Sequence, residues 1–164
     1  VWIELGLQTI HPHTADYIRR GYPLSVYDTA VCELHERGIE VITHVILGLP
    51  GETTDDMQAT ADYIAHQPIQ GVKFQLLHVL KGTDLYTDYL GQSFQTLTLD
   101  EYTDILIRCI ELMPPEMVIH RITGDGPKNI LAAHDWSRNK KQVLNHIHHC
   151  MKIRNTWQGR CYLQ

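Results

Sequence analysis

No two cysteines in this 164-residue sequence stand close enough in the chain to suggest a shared metal. Cys32, Cys109, Cys150 and Cys161 are scattered, with no CxxC or CxxxCxxC spacing. The stretch therefore offers no zinc or iron–sulfur signature of its own. Cys32 and Cys109 fall in apolar helical patterns and are expected as buried thiols. No apolar run is long enough to span a membrane, and no secretory leader pattern is visible, so a reduced, cytoplasmic setting is expected. Net positive charge is also lacking. Fourteen Lys and Arg stand against nineteen Asp and Glu, a formal charge of −5, which argues against a chain that binds nucleic acid as a polycation. Low-complexity tracts and repeats of fixed period are absent. What remains is a composition and length suited to one domain with a real core.

The stretch around which the rest is organised is GIEVITHVILGLPGET, from Gly38 to Thr53. Val41, Ile42, Val45, Ile46 and Leu47 make a run apolar on both faces, as a parallel strand covered by helices requires. Gly48, Pro50 and Gly51 then supply a tight turn. Thr53, Thr54 or Asp55 is placed to cap a following helix. Loops leaving the C-terminal end of such strands are where α/β folds place ligands.

The other elements alternate in the same way. Strands are expected over 1–7, 72–79 and 117–122. Helices are expected over 14–20, over 26–37 behind a Ser25 cap, over 53–66, as a short piece over 84–89, and over 101–113 behind an Asp100 cap. The apolar spacing puts Val26, Ala30 and Leu34 on one face, and Met57, Ala61 and Ile64 on another. Residues 94–99 are expected to be extended or irregular. Beyond the TGDGP loop at 123–127, helices are expected over 129–133 and 140–154, with a tail from 157. Four βα units in sequence imply right-handed crossovers, a parallel sheet and part of a barrel. Val1-Trp2-Ile3 already looks like a strand interior, so the native protein is expected to continue upstream. Open edges at Val1 and Val118 would then favour dimerisation or aggregation of an isolated half-barrel.

In a parallel sheet the strand exits share one rim. Glu4 and Gln8, His44 with the 48–52 loop, His78 with Lys81 and Thr83, and His120, Arg121, Thr123 and Asp125 then converge. Each has a plain structural reading: a paired carboxylate, core histidines, a surface lysine, a well-formed turn. The functional signal is that polar groups recur at the C-terminal ends of the strands and not at the N-terminal ends. His146, His148 and His149 suggest a metal cluster, but i and i+1 neighbours on a helix do not share a face, and solvated surface is the better reading.

ELGLQT followed by RRGY, then GIEVITHVILGLPGET, resembles the radical S-adenosylmethionine (SAM) superfamily. The nearest branch holds the catalytic subunit of Elongator and oxygen-independent coproporphyrinogen oxidase. THVILGLPGE, LKGT and HRITGDGP together resemble an uncharacterised bacterial group within it. The resemblance implies an α/β chain forming the C-terminal half of a partial (β/α)6 TIM-type barrel. Residues 1–113 would carry strands four to six and residues 114–164 a helical C-terminal extension. It also implies a 4Fe–4S cluster whose cysteine motif lies upstream of this chain, and SAM as the source of a 5′-deoxyadenosyl radical. The parent would be an enzyme, and this stretch alone inactive.

Residue by residue, the resemblance makes Gln8 the contact to the SAM ribose and Arg20 the contact to the methionine carboxylate, where a guanidinium fork suits a carboxylate. His44 stands where relatives often carry Asp. Ile46 and Gly48 fit a GxIxGxxE pattern, whereas His44 replaces its first Gly and Gly51 its Glu. Leu77 and His78 would meet the adenine through backbone, and Glu4 would face the barrel interior. Lys81, Thr83, His120, Arg121 and Asp125 would lie near the substrate. That substrate is expected to be tRNA or another RNA, by analogy, and a flavodoxin or ferredoxin would supply electrons. Arg138, Lys140, Lys141, Lys152, Arg154 and Arg160, with Trp136 and Trp157, make either an RNA-tracking surface or an ordinary solvated face. Two other readings remain open: a phosphate-binding (β/α) barrel that uses the GLPGET and TGDGP amides as an anion nest, and a non-catalytic half-barrel.

Overall fold

The computed structural model describes residues 1–124, 126–127 and 129–163. Four strands, β1 (Trp2–Gln8), β2 (Glu40–Leu47), β3 (Gly71–Leu76) and β4 (Val118–Arg121), form one sheet in the order β1-β2-β3-β4. All three pairings are parallel. The connecting helices are α1 (Pro12–Tyr17), α2 (Leu24–Glu36), α3 (Thr54–Ala65), α4 (Asp84–Leu90) and α5 (Leu99–Leu112), followed by a 3₁₀ turn (Asp135–Arg138) and α6 (Lys140–Ile153). The chain is thus an α/β unit built of successive parallel βα pairs, as the alternation of periods implies.

The two faces of the sheet differ. Val41, Val45, Leu47, Val72, Phe74 and Leu76 point to one face and are almost fully buried among Tyr27 and Val31 of α2, Met57, Ala61 and Ile64 of α3, and Tyr102, Leu106 and Ile110 of α5. This is the core. Register places Glu4, His44, Lys73 and Gln75 on the opposite face. The expectation of a β2 apolar and covered on both faces therefore holds fully for one face only. The other is mixed: Ile42 is buried and Ile46 half-buried there, beside the polar Glu4, His44, Lys73 and Gln75.

Several local expectations are corrected. α2 starts behind Pro23, whose extended backbone leads into the helix, and Ser25 lies inside the first turn without capping it. Its buried residues are Tyr27 and Val31, while Val26 is half exposed. Cys32 is exposed on the same helix; Cys109 is buried, and desolvation pushes its thiol up to about 12. α5 is capped by Thr98 rather than Asp100. Thr98 and Glu101 form a reciprocal capping box, as Thr53 and Asp56 do for α3.

β3 ends at Leu76, and the chain then crosses to residues 129–133, which form no helix. There Leu80 and Leu131 make an antiparallel bridge, and the Ala132 amide donates to the Val79 carbonyl at 2.8 Å. Nor is the C-terminus a free tail. Gln158 Nε2 donates to the Pro114 and Met117 carbonyls at 2.6 and 2.7 Å, and the Cys161 amide to the Glu111 carbonyl at 2.9 Å.

Candidate functional site

At the C-terminal rim of β1, β2 and β3 the structure opens a cleft of about 660 Å³, within the range of small-molecule sites. Gln8, Arg20, Ile46 and Leu77 line it together, joined by Thr83. The apolar floor comes from Ile46, Leu49 and Leu77, and the polar wall from the β1 exit and the segment after α1.

That wall is built on unusual backbone. α1 ends with Arg19 at φ 57°: the Arg19 amide donates to Asp16 O and the Arg20 amide to Ala15 O, a Schellman closure with arginine where glycine is usual. The turn throws the Arg20 side chain back across the β1 exit. Its Nη1 donates to Leu7 O at 3.0 Å and Thr9 O at 2.7 Å, and its Nε to Tyr22 O at 3.0 Å. The guanidinium also stacks on the Tyr22 ring, 5.1 Å from its centroid, and the Tyr22 hydroxyl donates to Gly6 O. The fork expected for a ligand carboxylate is thus occupied largely by backbone carbonyls. Among the described residues Nη2 alone carries no such bond.

Gln8 also has positive φ, 61°. In the orientation that satisfies its neighbours, its carboxamide nitrogen donates to Gly6 O at 2.9 Å and Leu7 O at 3.1 Å. A Cβ on Gly6 would stand 2.4 Å from that carboxamide, so Gln8 can fold back only over glycine.

The outer side of the cleft is closed by contacts between the α1 segment and α4. The Tyr17 hydroxyl donates to Asp88 Oδ2 at 2.6 Å, and Arg19 pairs with Asp84 at 2.7 Å. The acceptor raises the Tyr17 phenol to about 12. Tyr17, Arg19, Asp84 and Asp88 were not singled out from sequence, since only the folded geometry brings positions about seventy residues apart to one rim. Thr83 contributes its position there; its hydroxyl donates to Leu80 O and accepts from the Tyr86 amide to cap α4.

Glu4 and His44 lie below the cleft, on the face of the sheet opposite the main core. Glu4 accepts from Lys73 Nζ at 2.6 Å and from His44 Nε2 at 2.7 Å, and the Gln75 amide donates to His44 Nδ1 at 3.0 Å. An amide nitrogen can only donate, so these bonds fix His44 as the Nε2–H tautomer. Hydrogen bonds from Lys73 and then His44 hold the Glu4 carboxyl down at about 2. Both imidazole nitrogens are engaged within the protein. Gly48 lies beneath the rim with φ 88°, its amide donating to Met57 Sδ at 3.1 Å.

The remaining rim residues fall elsewhere. The His78 imidazole packs against the loop after β4, where a Cβ on Gly124 would approach within 2.2 Å and one on Gly126 within 2.7 Å. It lines a second hollow of about 500 Å³ with Arg138 and Lys140. Beside it, His134 is buried at φ 69°. Burial, then the neighbouring His78, lowers its pKa to about 4. Lys81 is exposed, His120 lies over Gly71, and Arg121 faces a hollow between β4 and α6. Asp125 lies outside the described residues.

The GLPGET loop is poorly suited to an anion. The Gly48 amide is taken by Met57 and the Glu52 amide by Leu49 O, and the Glu52 carboxylate sits on the same loop. Much of the C-terminal basic set is also engaged. Arg154 pairs with Asp104 at 2.7 Å, Arg138 pairs with Asp135, Arg160 donates to the Arg154 and Asn155 carbonyls over the Trp157 ring, and Trp136 packs on Tyr102. Among the described residues no three His, Cys, Asp or Glu side chains gather to hold a metal, so this donor set does not fit an iron–sulfur cluster. His146 pairs with Asp100 at 3.0 Å, while His148 and His149 are exposed.

Comparison with known proteins bears on the family and the fold. Residues 1–64 match the Radical SAM superfamily, and residues 69–153 match the Radical_SAM C-terminal domain. The uncharacterized protein YtqA of Bacillus subtilis is 41% identical over 162 residues, 99% of this chain and 50% of that protein. A tRNA uridine(34) acetyltransferase of Methanocaldococcus jannaschii is 25% identical over 79% of this chain and 24% of its own length. The solved structure of the archaeal Methanocaldococcus infernus Elp3 with an N-terminal deletion superposes with a TM-score of 0.85 at 20% identity, covering 96% of this chain and 37% of that one. The chain thus spans about half the length of its Bacillus relative.

Proposed function

The chain belongs to the radical SAM superfamily, and on that premise we propose that its cleft is the SAM-binding half of a radical SAM enzyme. The observation that carries this reading is the convergence of Gln8, Arg20, Ile46 and Leu77 on one cleft of ligand size. SAM held there would, together with a 4Fe–4S cluster carried outside this stretch, supply 5′-deoxyadenosyl radical chemistry for hydrogen abstraction. This chain's part is to bind and orient. Ile46, Leu49 and Leu77 give an apolar bed for the adenine. Gln8 offers its carboxamide to the ribose, and Arg20 offers Nη2 to the methionine carboxylate. The contacts from Tyr17 and Arg19 to α4 bound the cleft on its outer side.

The substrate in this reading is an RNA, tRNA being favoured by the relative named for uridine 34 of tRNA. To that substrate this reading assigns Lys81, Thr83, His120, Arg121 and Asp125, to the adenine the backbone of Leu77 and His78, and to the interior wall Glu4 and His44, with a flavodoxin or ferredoxin as electron donor in the cytoplasm. Among the described residues no helix is long and apolar enough to cross a membrane. The test is anaerobic reconstitution of the intact protein, followed by measurement of SAM binding and of 5′-deoxyadenosine release after dithionite. Release that falls at least tenfold in Gln8→Ala and Arg20→Ala supports the reading. A folded protein that neither binds nor cleaves SAM overturns it.

A further inference from the structure

Gln8 occupies a conformation that its own side chain does not favour. Its φ of 61° and the Thr9 amide donating back to Leu7 O at 2.8 Å describe a tight γ-type turn at the β1 exit. Left-handed backbone at a glutamine is uncommon, and such a residue persists only where its surroundings over-determine it. Arg20 supplies one restraint, since its Nη1 bridges Leu7 O and Thr9 O on either side of the turn.

The second restraint comes from another loop. Thr9 is wholly buried, and its hydroxyl donates to Glu52 Oε1 at 2.5 Å, across 43 residues of sequence. The same hydroxyl oxygen accepts from the His11 amide at 3.1 Å, so it acts as donor and acceptor at once. Glu52 follows Gly51 in the loop after β2, and burial there raises its carboxyl pKa while the Thr9 hydrogen bond opposes the rise. Nearby, His11 Nε2 lies 2.9 Å from Asp56 O on α3. Two loops from adjacent strands are therefore stitched together directly behind the cleft.

We infer that Glu52 is a positioning residue. By holding Thr9 it keeps the β1 exit turn wound, and through that turn it presents the Gln8 carboxamide to the cleft. The glutamate of GLPGET thus acts on the ligand site from behind, without touching the ligand. The inference rests on the SAM reading for the identity of the ligand, but the wound turn itself does not.

The experiment uses the intact, cluster-reconstituted and unreduced protein, with two readouts. Hydrogen–deuterium exchange of a peptide covering residues 5–12 reports the turn, and equilibrium dialysis with SAM reports the site. Glu52→Ala and Thr9→Val are expected to speed exchange in that peptide and to weaken SAM about tenfold, the scale of one lost hydrogen bond. Glu52→Gln, which keeps an acceptor, is expected to restore both. Because Glu52 acts through Gln8, its alanine variant is expected to add little further loss of affinity in a Gln8→Ala background. Unchanged exchange at residues 5–12 in Glu52→Ala, or full additivity with Gln8→Ala, overturns the inference. Should the wild-type protein bind no SAM, the cofactor reading falls, and the exchange result alone still decides for or against the latch.

Discussion

Glu4 on β1 and Lys73 on β3 are two strands apart, yet their charged groups meet at 2.6 Å across the strand that carries His44. The pair keeps Glu4 ionised far into acid, with its pKa near 2 instead of 4.5. A carboxyl whose folded pKa is depressed contributes stability above its unfolded pKa and loses it as pH falls through the folded one. Between about pH 4.5 and 2 the protein is therefore expected to lose stability in a segment that Glu4→Gln flattens. Thermal unfolding followed across that range checks it. Because Glu4 is partly exposed, the effect is expected to shrink in high salt.

His134 governs a different window. Its folded pKa of about 4 lies below the ordinary 6.5, so the native state resists a proton that the unfolded chain accepts. Stability is expected to be full above pH 6.5 and to decline toward pH 4. In His134→Asn, which tolerates left-handed backbone and cannot charge, the slope over that interval should disappear. Urea midpoints at pH 7, 6, 5 and 4 (chosen as about evenly spaced across the shift) would show a parallel fall in both proteins if the assignment is wrong.

Two glycines separate conformational strain from crowding. Gly38 and Gly48 have φ of 66° and 88°, and an alanine at either meets the left-handed penalty of about 1–2 kcal/mol. At Gly38 the added carbon meets nothing within 4 Å, whereas at Gly48 it meets Leu97 at 3.0 Å. Gly48→Ala is therefore expected to lose about 1–3 kcal/mol more than Gly38→Ala, the usual range for overpacking. Equal losses in denaturant titrations would remove Leu97 from the account.

The capping box of α5 gives the fourth expectation. Thr98→Ala removes the acceptor for the Glu101 amide and should cost about 1 kcal/mol. Asp100→Ala should cost less, about a few tenths of a kcal/mol, because Asp100 lies in the first turn near the helix dipole and does not cap the helix. Reversal of that order in paired unfolding curves would restore Asp100 as the cap.

The elements written as strong periods were legible in the sequence. The apolar run Val41–Leu47 and the Met57, Ala61, Ile64 stripe set the strand and its packing helix, and the structure has both. Thr98 could have been read as well, since TLDE is a capping-box pattern; Asp100 simply drew attention away from it. Residues 129–133 misled because their composition suits a helix, while the bridge from Leu80 to Leu131 takes the backbone instead. At the site, Gln8 and Arg20 were singled out through the family resemblance, and both line the cleft. What Arg20 bonds to was not, because backbone carbonyls leave no trace in a side-chain pattern. The Thr9–Glu52 and Tyr17–Asp88 contacts were equally hidden, each being made by loops whose approach the sheet decides.

The contacts that close the outer side of the cleft are polar and wet: Arg19 and Asp84 are each more than three-quarters exposed. Most of the apolar packing lies on the opposite face of the sheet, so the entrance and the core answer to different solvents. Added electrolyte weakens the entrance without loosening the core. Ionic strength thus acts on the Arg19–Asp84 closure before it acts on the fold.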